Sequence, residues 1–365
     1  MKEFRVAQSR NVRGCGCVAV LLALVVVGGM WAYFKFYKPV PGPQLPPPSG
    51  EELSIHVLDV GQGDAILIVA PGGKTALVDA SVPGSGKKIL AAMARAGVDH
   101  LDLLVTTHAH ADHIGGADEV IKGTKVYKVL DSKVPNTTKN YEDFLDAIEG
   151  RVENPQDNFI TAAPGQTFDL GGGVVISVLA PIQPLFTKDQ LRSGGNEPNA
   201  NSVVTRLDYG EFSLLLTGDA EAQTEERMME QGARLSAKVL KVGHHGSKYA
   251  SSEEFLRQAK FKDAVISCGA DNRYGHPSQE ALDRLKAAGV KIYRTDLQGE
   301  ITIKTLGKED YQITTERQAA ADELYAGRKA QKDDSAKSGF IQYGDFGPAP
   351  KASPKSKATN NSNGR

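Results

Sequence analysis

The sequence predicts an α/β protein in which helices pack on mixed β-sheets, preceded by a single membrane-spanning helix. Two observations predict the α/β body. Short apolar runs alternate with helical stretches between residues 53 and 306, and glycine or other turn residues separate many of them. No repeat at the period of a solenoid occurs, so these elements form one layered unit. A third observation predicts the span, because residues 18–34 carry no charge.

Length and charge limit the classes of function. The chain has 365 residues, with 43 Lys and Arg against 44 Asp and Glu, and a formal net charge of −1. A constitutive binder of duplex nucleic acid needs a basic surface that neutralises phosphates, so such a module is disfavoured. Three cysteines are too few for a disulfide framework or a four-cysteine zinc site. The sequence identifies no protein partner.

The N-terminal region has the pattern of a membrane anchor. Counted from Cys15, the uncharged run is 20 residues long, about the length that crosses a bilayer core. Four basic residues precede the run and two follow it, so the positive-inside rule places the N-terminus in the cytoplasm and the body outside. We expect a cytoplasmic tail over 1–14 and a single-pass transmembrane anchor in the cell membrane over 15–37. A cleaved secretory signal is the alternative.

The remaining boundaries follow from composition. Residues 38–50 contain six prolines and predict an extended, semi-rigid spacer. The folded body is expected over 51–315. Residues 316–365 are expected to form a C-terminal helix fragment and then a disordered tail, because polar residues, alanine and proline dominate there and leave little apolar surface to bury.

The apolar periodicity of the body predicts its strands and helices in order. Glycine-rich turns join the first three strands, and the first helix has apolar residues at helical spacing before a glycine. In the second half of the body, predicted strands again alternate with predicted helices. The predicted strands are 53–61, 64–70, 74–80, 101–108, 174–181, 201–209, 211–219, 237–243, 263–269, 290–296 and 299–306, and the predicted helices are 86–97, 221–233, 251–260 and 278–289.

The most informative segment is TTHAHADHIGG, directly after an apolar strand. Three of the chain's eight histidines and one aspartate fall within six positions there. A loop that leaves a strand can point alternate side chains the same way, so His108 and His110 can converge on one cation while Asp112 and His113 reach a second. Imidazole and carboxylate suit a borderline divalent ion, and two such ions can clamp a displacement at phosphorus or carbon. The segment therefore predicts a two-metal site.

This motif, with LVDA before it and LLLTGD and VGHHGS after it, resembles the metallo-β-lactamase fold superfamily over roughly residues 53–306. The resemblance implies a four-layer αββα sandwich, a metal-bridging Asp219, and a later histidine that completes the second site. Asp79 is expected to orient a ligating imidazole. Adjacent side chains on extended backbone point to opposite faces, so one of His244 and His245 is expected to ligate and the other to contact substrate. His245 is the favoured ligand.

One element of the superfamily pattern is missing, because no histidine occurs between His113 and His244. The set LDVGQGDAILI, NSVV, KVGHHGS and NRYGHPS resembles the extracytoplasmic hydrolase domain of the ComEC competence proteins and their stand-alone relatives. In that group an asparagine replaces the histidine, which implies Asn201, with Asn196 and Asn199 as competitors. An amide oxygen is a harder, weaker ligand, so the expected cofactor is two divalent ions, with zinc favoured and manganese as the alternative.

Further candidates lie near these motifs. Gln62 and Asp64 are expected to face the metal loop, although an ordinary hairpin turn uses the same residue types. His276 is expected to contact substrate or to donate a proton, and Arg273 and Tyr274 suit an anionic oxygen. The candidates are His108, His110, Asp112, His113, Asp219 and His245 for metal; Asp112, His244 and His276 for catalysis; and Gln62, Asp64, Asp79, Asn201 and Ser247 for substrate contact or support of the ligands.

The resemblance implies a metal-dependent hydrolase, and the N-terminal run predicts that it is membrane-anchored and acts outside the cytoplasm. A metal-bridging hydroxide is expected to attack the scissile bond. The expected reaction is that of a phosphodiesterase or nuclease on nucleic acid or a phosphorylated envelope polymer or lipid headgroup. The alternatives are hydrolysis of a carboxylic ester, thioester or lactam on the same site, and a non-catalytic metal-binding wall module. His56 and His100 are expected to be bystanders.

Overall fold

The computed structural model describes residues 45–192, 197–270 and 272–329. The chain divides into two units, residues 1–44 and residues 45–365, and all described residues belong to the second. The predicted tail over 1–14, the predicted anchor over 15–37, most of the spacer, and Asn196 lie outside the described residues. Within the described ranges, no helix combines the length and the apolar character needed to cross a membrane.

Short strands and helices alternate along the described chain. The strands are β1 (Leu53–Val57), β2 (Ile66–Val69), β3 (Thr75–Val78), β4 (His100–Leu101), β5 (Leu103–Thr106), β6 (Lys125–Val126), β7 (Val129–Asp131), β8 (Phe159–Thr161), β9 (Thr167–Asp169), β10 (Val174–Ala180), β11 (Val204–Tyr209), β12 (Phe212–Leu216), β13 (Val239–Lys241), β14 (Asp263–Ile266), β15 (Lys291–Arg294), β16 (Ile301–Thr305) and β17 (Tyr311–Thr315). The helices are α1 (Gly86–Arg95), α2 (Ala111–Ile114), α3 (Ala117–Gly123), α4 (Lys139–Arg151), α5 (Pro155–Asn158), α6 (Glu197–Ala200), α7 (Ala222–Glu230), α8 (Glu253–Ala259), α9 (Gln279–Ala287), α10 (Thr295–Gln298) and α11 (Ala321–Leu324), with 3₁₀ turns at Lys188–Gln190 and Gly243–Gly246.

Two large mixed sheets form the centre of the body. Their strand orders are β17–β16–β1–β2–β3–β5–β7–β8 and β15–β14–β13–β12–β11–β10–β9, and β4 pairs with β6 separately. In the first sheet β1 to β3 are antiparallel, whereas β3, β5, β7 and β8 run parallel. In the second sheet β9 to β12 are antiparallel, whereas β12 to β15 run parallel. Each sheet thus has parallel strands whose carboxyl ends can present loops at one edge.

Three apolar cores separate four layers. Leu53, Ile55 and Val57 alternate along β1 and pack against residues of the second sheet, as the two-residue period of a strand requires. On the outer face of the first sheet, Leu67 packs in a core with α1, α3 and α4. On the outer face of the second sheet, Leu240 packs with α7, α8 and α9. The predicted α/β class with helices outside two sheets is therefore confirmed.

Residues at both ends of the body pack onto it. The backbone N–H of Ser49 donates to the carbonyl of Gly172 at 2.8 Å, so the last part of the proline-rich segment is bound to the body. At the other end, the buried Arg294 donates through Nη1 to the carbonyl of Ala326 at 2.7 Å. The N–H of Arg328 donates to the carbonyl of Pro277 at 2.9 Å. The segment 320–328 therefore lies against the loop that carries His276.

Candidate metal centre

Loops from both large sheets meet at the carboxyl ends of five strands. In an open α/β sheet, the loops outside the carboxyl ends of the strands carry the polar groups that bind ligands. Each loop begins within a few residues of its strand and brings at least one polar side chain to the centre. The contributions are Asp79 after β3, His108 to His113 after β5, Asp219 after β12, His244 and His245 after β13, and Ser267 to His276 after β14.

The histidines and aspartates form several compact groups of possible ligands, two of which lie on either side of the carboxylate of Asp219. Within each group, one ligand atom of every residue lies within 4.8 Å of the others. Asp219 lies between the groups, because its Oδ1 is 3.2 Å from Nε2 of His113 and its Oδ2 is 3.8 Å from Nε2 of His108. The first group is His108, His110 and Asp219, and the second is Asp112, His113 and His245.

Asp79 supports the second group from behind. Its Oδ2 lies 2.7 Å from Nδ1 of His113, and the two side chains are fully buried. Thr107 holds the carboxylate by donating its N–H to Oδ1 at 2.7 Å and its hydroxyl to Oδ2 at 2.8 Å. The proton of His113 is thereby placed on Nδ1, which leaves Nε2 directed at Asp219.

His244 and His245 do not lie on extended backbone, so the expectation that they face opposite ways is wrong. Both adopt left-handed conformations, with φ of 48° and 53°. Such values are uncommon for residues other than glycine and cost about 1–3 kcal/mol each. As a result, Nε2 of His244 lies 3.6 Å from Oδ2 of Asp219, and Nε2 of His245 lies 3.6 Å from Oδ1. The tight turn directs both imidazoles into the centre.

Each of these two histidines has its own outer partner. Nδ1 of His245 donates to the carbonyl of Ser267 at 2.9 Å, and its Nε2 lies 3.3 Å from Oδ2 of Asp112. Nδ1 of His244 lies 3.2 Å from Oε1 of Glu221. His245 is therefore part of the second group. His244 instead lies near Oδ2 of Asp219, the oxygen that faces the first group.

Asn201 does not point into the centre. Its amide donates to the carbonyls of Phe186 at 2.9 Å and Glu197 at 3.0 Å, and its Oδ1 accepts from the N–H of Phe186 at 2.9 Å. These bonds use the whole amide to hold the neighbouring loop. Its competitor Asn199 is the amide beside the centre, with Nδ2 at 3.5 Å from His244. Sequence spacing could not choose between them, because α6 turns the two side chains in different directions.

The supporting candidates are distributed around the centre. Gln62 accepts the N–H of Gly269 at 3.2 Å and so joins the first turn of the body to the loop after β14. Asp64 is fully buried and lies 3.4 Å from Nδ1 of His245. Ser247 closes the HHGS turn, since its N–H donates to the carbonyl of His244 at 2.8 Å. The two remaining histidines contact carboxylates elsewhere, His56 with Glu300 and His100 with Asp99.

His276 faces both adjacent histidines from the loop after β14. Its ring centroid is 5.2 Å from that of His244 and 6.4 Å from that of His245. Tyr274 stacks on it at 5.8 Å. Burial, followed by the charges of His244 and His245, lowers the pKa of His276 to about 3, so the ring is neutral near pH 7 and can donate a hydrogen bond.

Five supporting residues were not identified from the sequence, and one of them is Thr107, which holds Asp79. Lys241 carried a signal, because it is a charged residue between the apolar Leu240 and Val242 just before HHGS. Asn272 lies in the NRYGHPS motif and fixes the His276 loop, with its Oδ1 accepting the N–H of His276 at 2.9 Å. Glu221 and Ser267 carried no sequence signal that separates them from ordinary loop residues.

The residues of the centre fit two divalent cations. Among the described residues, Nε2 of His113, Nε2 of His245 and Oδ1 of Asp219 are buried without a hydrogen bond, and the three atoms face one another. Although burial opposes a charged ring, Asp219, Asp112 and Asp64 raise the pKa of His245 to about 10. In the first group, burial lowers the pKa of His110 to about 4. The carboxylates that raise the pKa of His245 would equally favour a bound cation there, and imidazole together with carboxylate is the donor set of a two-cation site.

Comparisons with known proteins agree with this geometry. The metallo-β-lactamase superfamily matches residues 58–270. The chain is 33% identical over 305 residues to ComE operon protein 3 of Bacillus subtilis, a match that covers 77% of this chain and 36% of that protein. It is 30% identical over 295 residues to competence protein ComA of Neisseria gonorrhoeae, covering 78% and 37%. It is 31% identical over 254 residues to recombination protein 2 of Haemophilus influenzae, covering 68% and 28%.

The chain thus spans about a third of the length of these curated relatives. The superfamily match includes the loops after β3, β5, β12 and β13, and therefore both groups of candidate ligands. The chain belongs to the metallo-β-lactamase superfamily of metal-dependent hydrolases, with homologues among the ComEC-like competence proteins.

Proposed function

We propose that the chain is a phosphodiesterase or nuclease that depends on two divalent cations and acts outside the cytoplasm. The observation that carries the proposal is the arrangement of two ligand groups around the shared carboxylate of Asp219, next to a rim that carries Arg273, Tyr274 and His276. The ligand groups suit hydrolysis in general, and the rim favours an anionic substrate.

The chain's own residues hold and aim the reacting groups. His108 and His110 would hold one cation, Asp112, His113 and His245 the other, and Asp219 both. When bound, the cations supply Lewis acidity and lower the pKa of water toward neutrality. Asp112 is the most exposed of these side chains, at 15%, so the centre opens to solvent on its side. Zinc suits the imidazole-rich first group, and manganese remains the alternative if an amide oxygen completes it.

The rim is suited to a phosphodiester oxygen. The guanidinium of Arg273 lies 5.2 Å from the ring centre of Tyr274 and donates to its hydroxyl at 3.2 Å. A guanidinium on this rim would bind an anionic oxygen better than a neutral carbonyl. The neutral His276 can donate a further hydrogen bond to the substrate or to the leaving oxygen.

A second cation and aromatic pair follows the HHGS turn. Lys248 places Nζ 5.1 Å from the ring centre of Tyr249, and that ring is 41% exposed. An exposed aromatic ring can stack on a base while the adjacent cation binds a phosphate, and such pairs suit single strands. One relative is named as a competence protein and another as a recombination protein, which also favours nucleic acid as substrate. The net charge of −1 is compatible with transient substrate binding.

The location of the activity is part of the proposal. The uncharged run from Cys15 to Phe34 and the basic residues before it favour a single span with the hydrolase outside. Protease added to intact cells should then digest the body while residues 1–14 stay protected. Protection of the body would contradict this orientation.

The reaction is tested with the full chain, stripped of metal and reloaded with zinc or with manganese. The substrates are bis(p-nitrophenyl) phosphate, single-stranded and duplex DNA, a chromogenic lactam, p-nitrophenyl acetate and a thioester. We expect the reloaded protein to cleave the phosphodiesters. A chelator should abolish this cleavage, and the Asp219→Asn variant should not show it. Preference for the ester, thioester or lactam would replace the proposed reaction, and metal binding without turnover of any substrate would favour a non-catalytic module.

A further inference from the structure

A buried lysine and a buried aspartate form an ion pair behind the second ligand group. Nζ of Lys241 lies 2.7 Å from Oδ2 of Asp64, with the lysine side chain 1% and the aspartate side chain 0% exposed. Lys241 also donates to the carbonyl of Val242 at 2.9 Å. Removing two charges from water costs several kcal/mol per ion, so a pair in this position calls for an explanation other than stability.

The pair joins the two sheets directly beneath the centre. Lys241 is the last residue of β13 in the second sheet, and Asp64 lies in the loop before β2 of the first sheet. The N–H of Asp64 donates to the carbonyl of Asp112 at 3.1 Å, and its Oδ1 lies 3.4 Å from Nδ1 of His245. Asp64 therefore contacts two members of the second ligand group, one through its backbone and one through its side chain.

Asp64 is itself placed where it could become a ligand. Its carboxylate forms a compact group of possible metal ligands with Asp219 and His245, with one atom of each within 4.8 Å of the others. Among the described residues, neither oxygen of Asp64 accepts a hydrogen bond, so the ammonium of Lys241 is the main compensation for its charge. A third carboxylate oxygen on the second cation would change its coordination number and neutralise part of its Lewis acidity.

We propose that the ammonium of Lys241 acts as an internal counter-ion that neutralises Asp64 and keeps it out of the second metal's ligand set. The carbonyl of Ser267 then accepts the proton on Nδ1 of His245, Oδ1 of Asp64 adds negative charge 3.4 Å from that nitrogen, and His245 keeps Nε2 for the metal. Lys241 and Asp64 are thus positioning residues. The inference rests on the two-cation centre proposed above and does not depend on the substrate.

The test measures metal binding by the full chain in four forms: the parent, Asp64→Asn, Lys241→Met and the double variant. Zinc affinity of each site is measured by competition with a chelator, and coordination at the second site by the visible spectrum of the cobalt-loaded protein. Asp64→Asn leaves an unpaired ammonium beside the second cation, so its affinity should fall by about tenfold or more. Lys241→Met leaves a free carboxylate, so affinity should rise by about threefold or more and cobalt absorption should weaken as a further oxygen ligand joins. The double variant should return both readings toward those of the parent.

Opposite signs for the two single variants separate this role from a structural one. A pair that only stabilises the fold would give losses of affinity in both single variants and an unchanged cobalt spectrum, and that result would overturn the proposal. If Lys241→Met does not fold, the comparison of Asp64→Asn with the double variant still tests the proposal. Removal of the ammonium in the double variant should restore the metal affinity that Asp64→Asn loses. The matched control is Asp208→Asn, which breaks the buried pair of Arg206 and Asp208 in the second sheet and should leave metal affinity unchanged. Failure of the phosphodiesterase assay would not alter these readings.

Discussion

His244 and His245 are consecutive in the chain, yet their imidazoles face the two different oxygens of one carboxylate, that of Asp219. Two successive left-handed residues make this possible, because extended backbone would turn one of the rings away. Strained backbone of this kind persists only where surrounding contacts hold it. Here the carbonyl of Ser267 holds His245, and Glu221 holds His244.

Asp219→Asn should lower turnover by about three orders of magnitude or more and reduce metal content, because an amide provides no charge to either cation. The fold should persist, since the side chains differ little in size. Elemental analysis and steady-state rates of the full chain measure both effects. A variant that retains two ions and full activity would show that Asp219 does not bridge.

His276→Ala should lower kcat about tenfold to a hundredfold while both ions stay bound, because this ring faces the centre but is not in either ligand group. His276→Gln, which keeps a donor, should recover part of the rate. Metal content and kcat are measured on the same preparation. Loss of an ion in His276→Ala would instead make it a ligand.

Asn199→Ala should weaken metal binding at the first site by about tenfold, with little change in stability. Asn201→Ala should do the reverse, because it removes three hydrogen bonds and should cost about 1–3 kcal/mol of stability. Zinc competition and urea unfolding distinguish the two variants. The opposite pattern would show that Asn201, and not Asn199, takes the place of the histidine that is missing from the superfamily pattern.

Deletion of residues 1–44 should leave a soluble body with the unfolding temperature and activity of the full chain. Deletion of residues 1–50 should lower the unfolding temperature by about 2–6 °C, because it removes the bonds of Ser49 to Gly172 and Tyr209. Calorimetry measures the unfolding temperatures of both truncations. Equal unfolding temperatures would place the start of the body after residue 50.

Asp131→Asn should stabilise the protein at pH 7 and have no effect below about pH 4. Burial is the largest influence on Asp131 and raises its pKa to about 6 from 3.8. The unfolded chain therefore loses this proton first, and stability falls as pH rises from about 4 to 6 and stays lower above that range. The gain at pH 7 should be about 3 kcal/mol at most. Urea unfolding at several pH values measures it, and a gain of equal size at pH 4 would contradict the assignment to titration.

The sequence predicted the layers, and it named most of the residues that the structure brings together as candidate ligands. Period-two strands and helical stretches are local signals, so β1 to β3 and α7 to α9 were expected near the places where they occur. The His-x-His-x-Asp-His segment keeps its ligands within six positions, and chain geometry alone brings them together. The resemblance to the superfamily implied roles for Asp79 and Asp219, and the structure places both next to His113.

Tertiary structure alone decided how the distant loops meet. The directions of Asn199, Asn201, His244 and His245 depend on backbone angles that local residue type does not specify, and left-handed angles at two histidines have no sequence signal. The pairing of Asp64 with Lys241 joins residues that are far apart in the chain and lie in different sheets. Residue types and spacing determine which groups can bind a cation, but the packing of one sheet on the other determines which groups reach it, because only that packing sets the distances between loops.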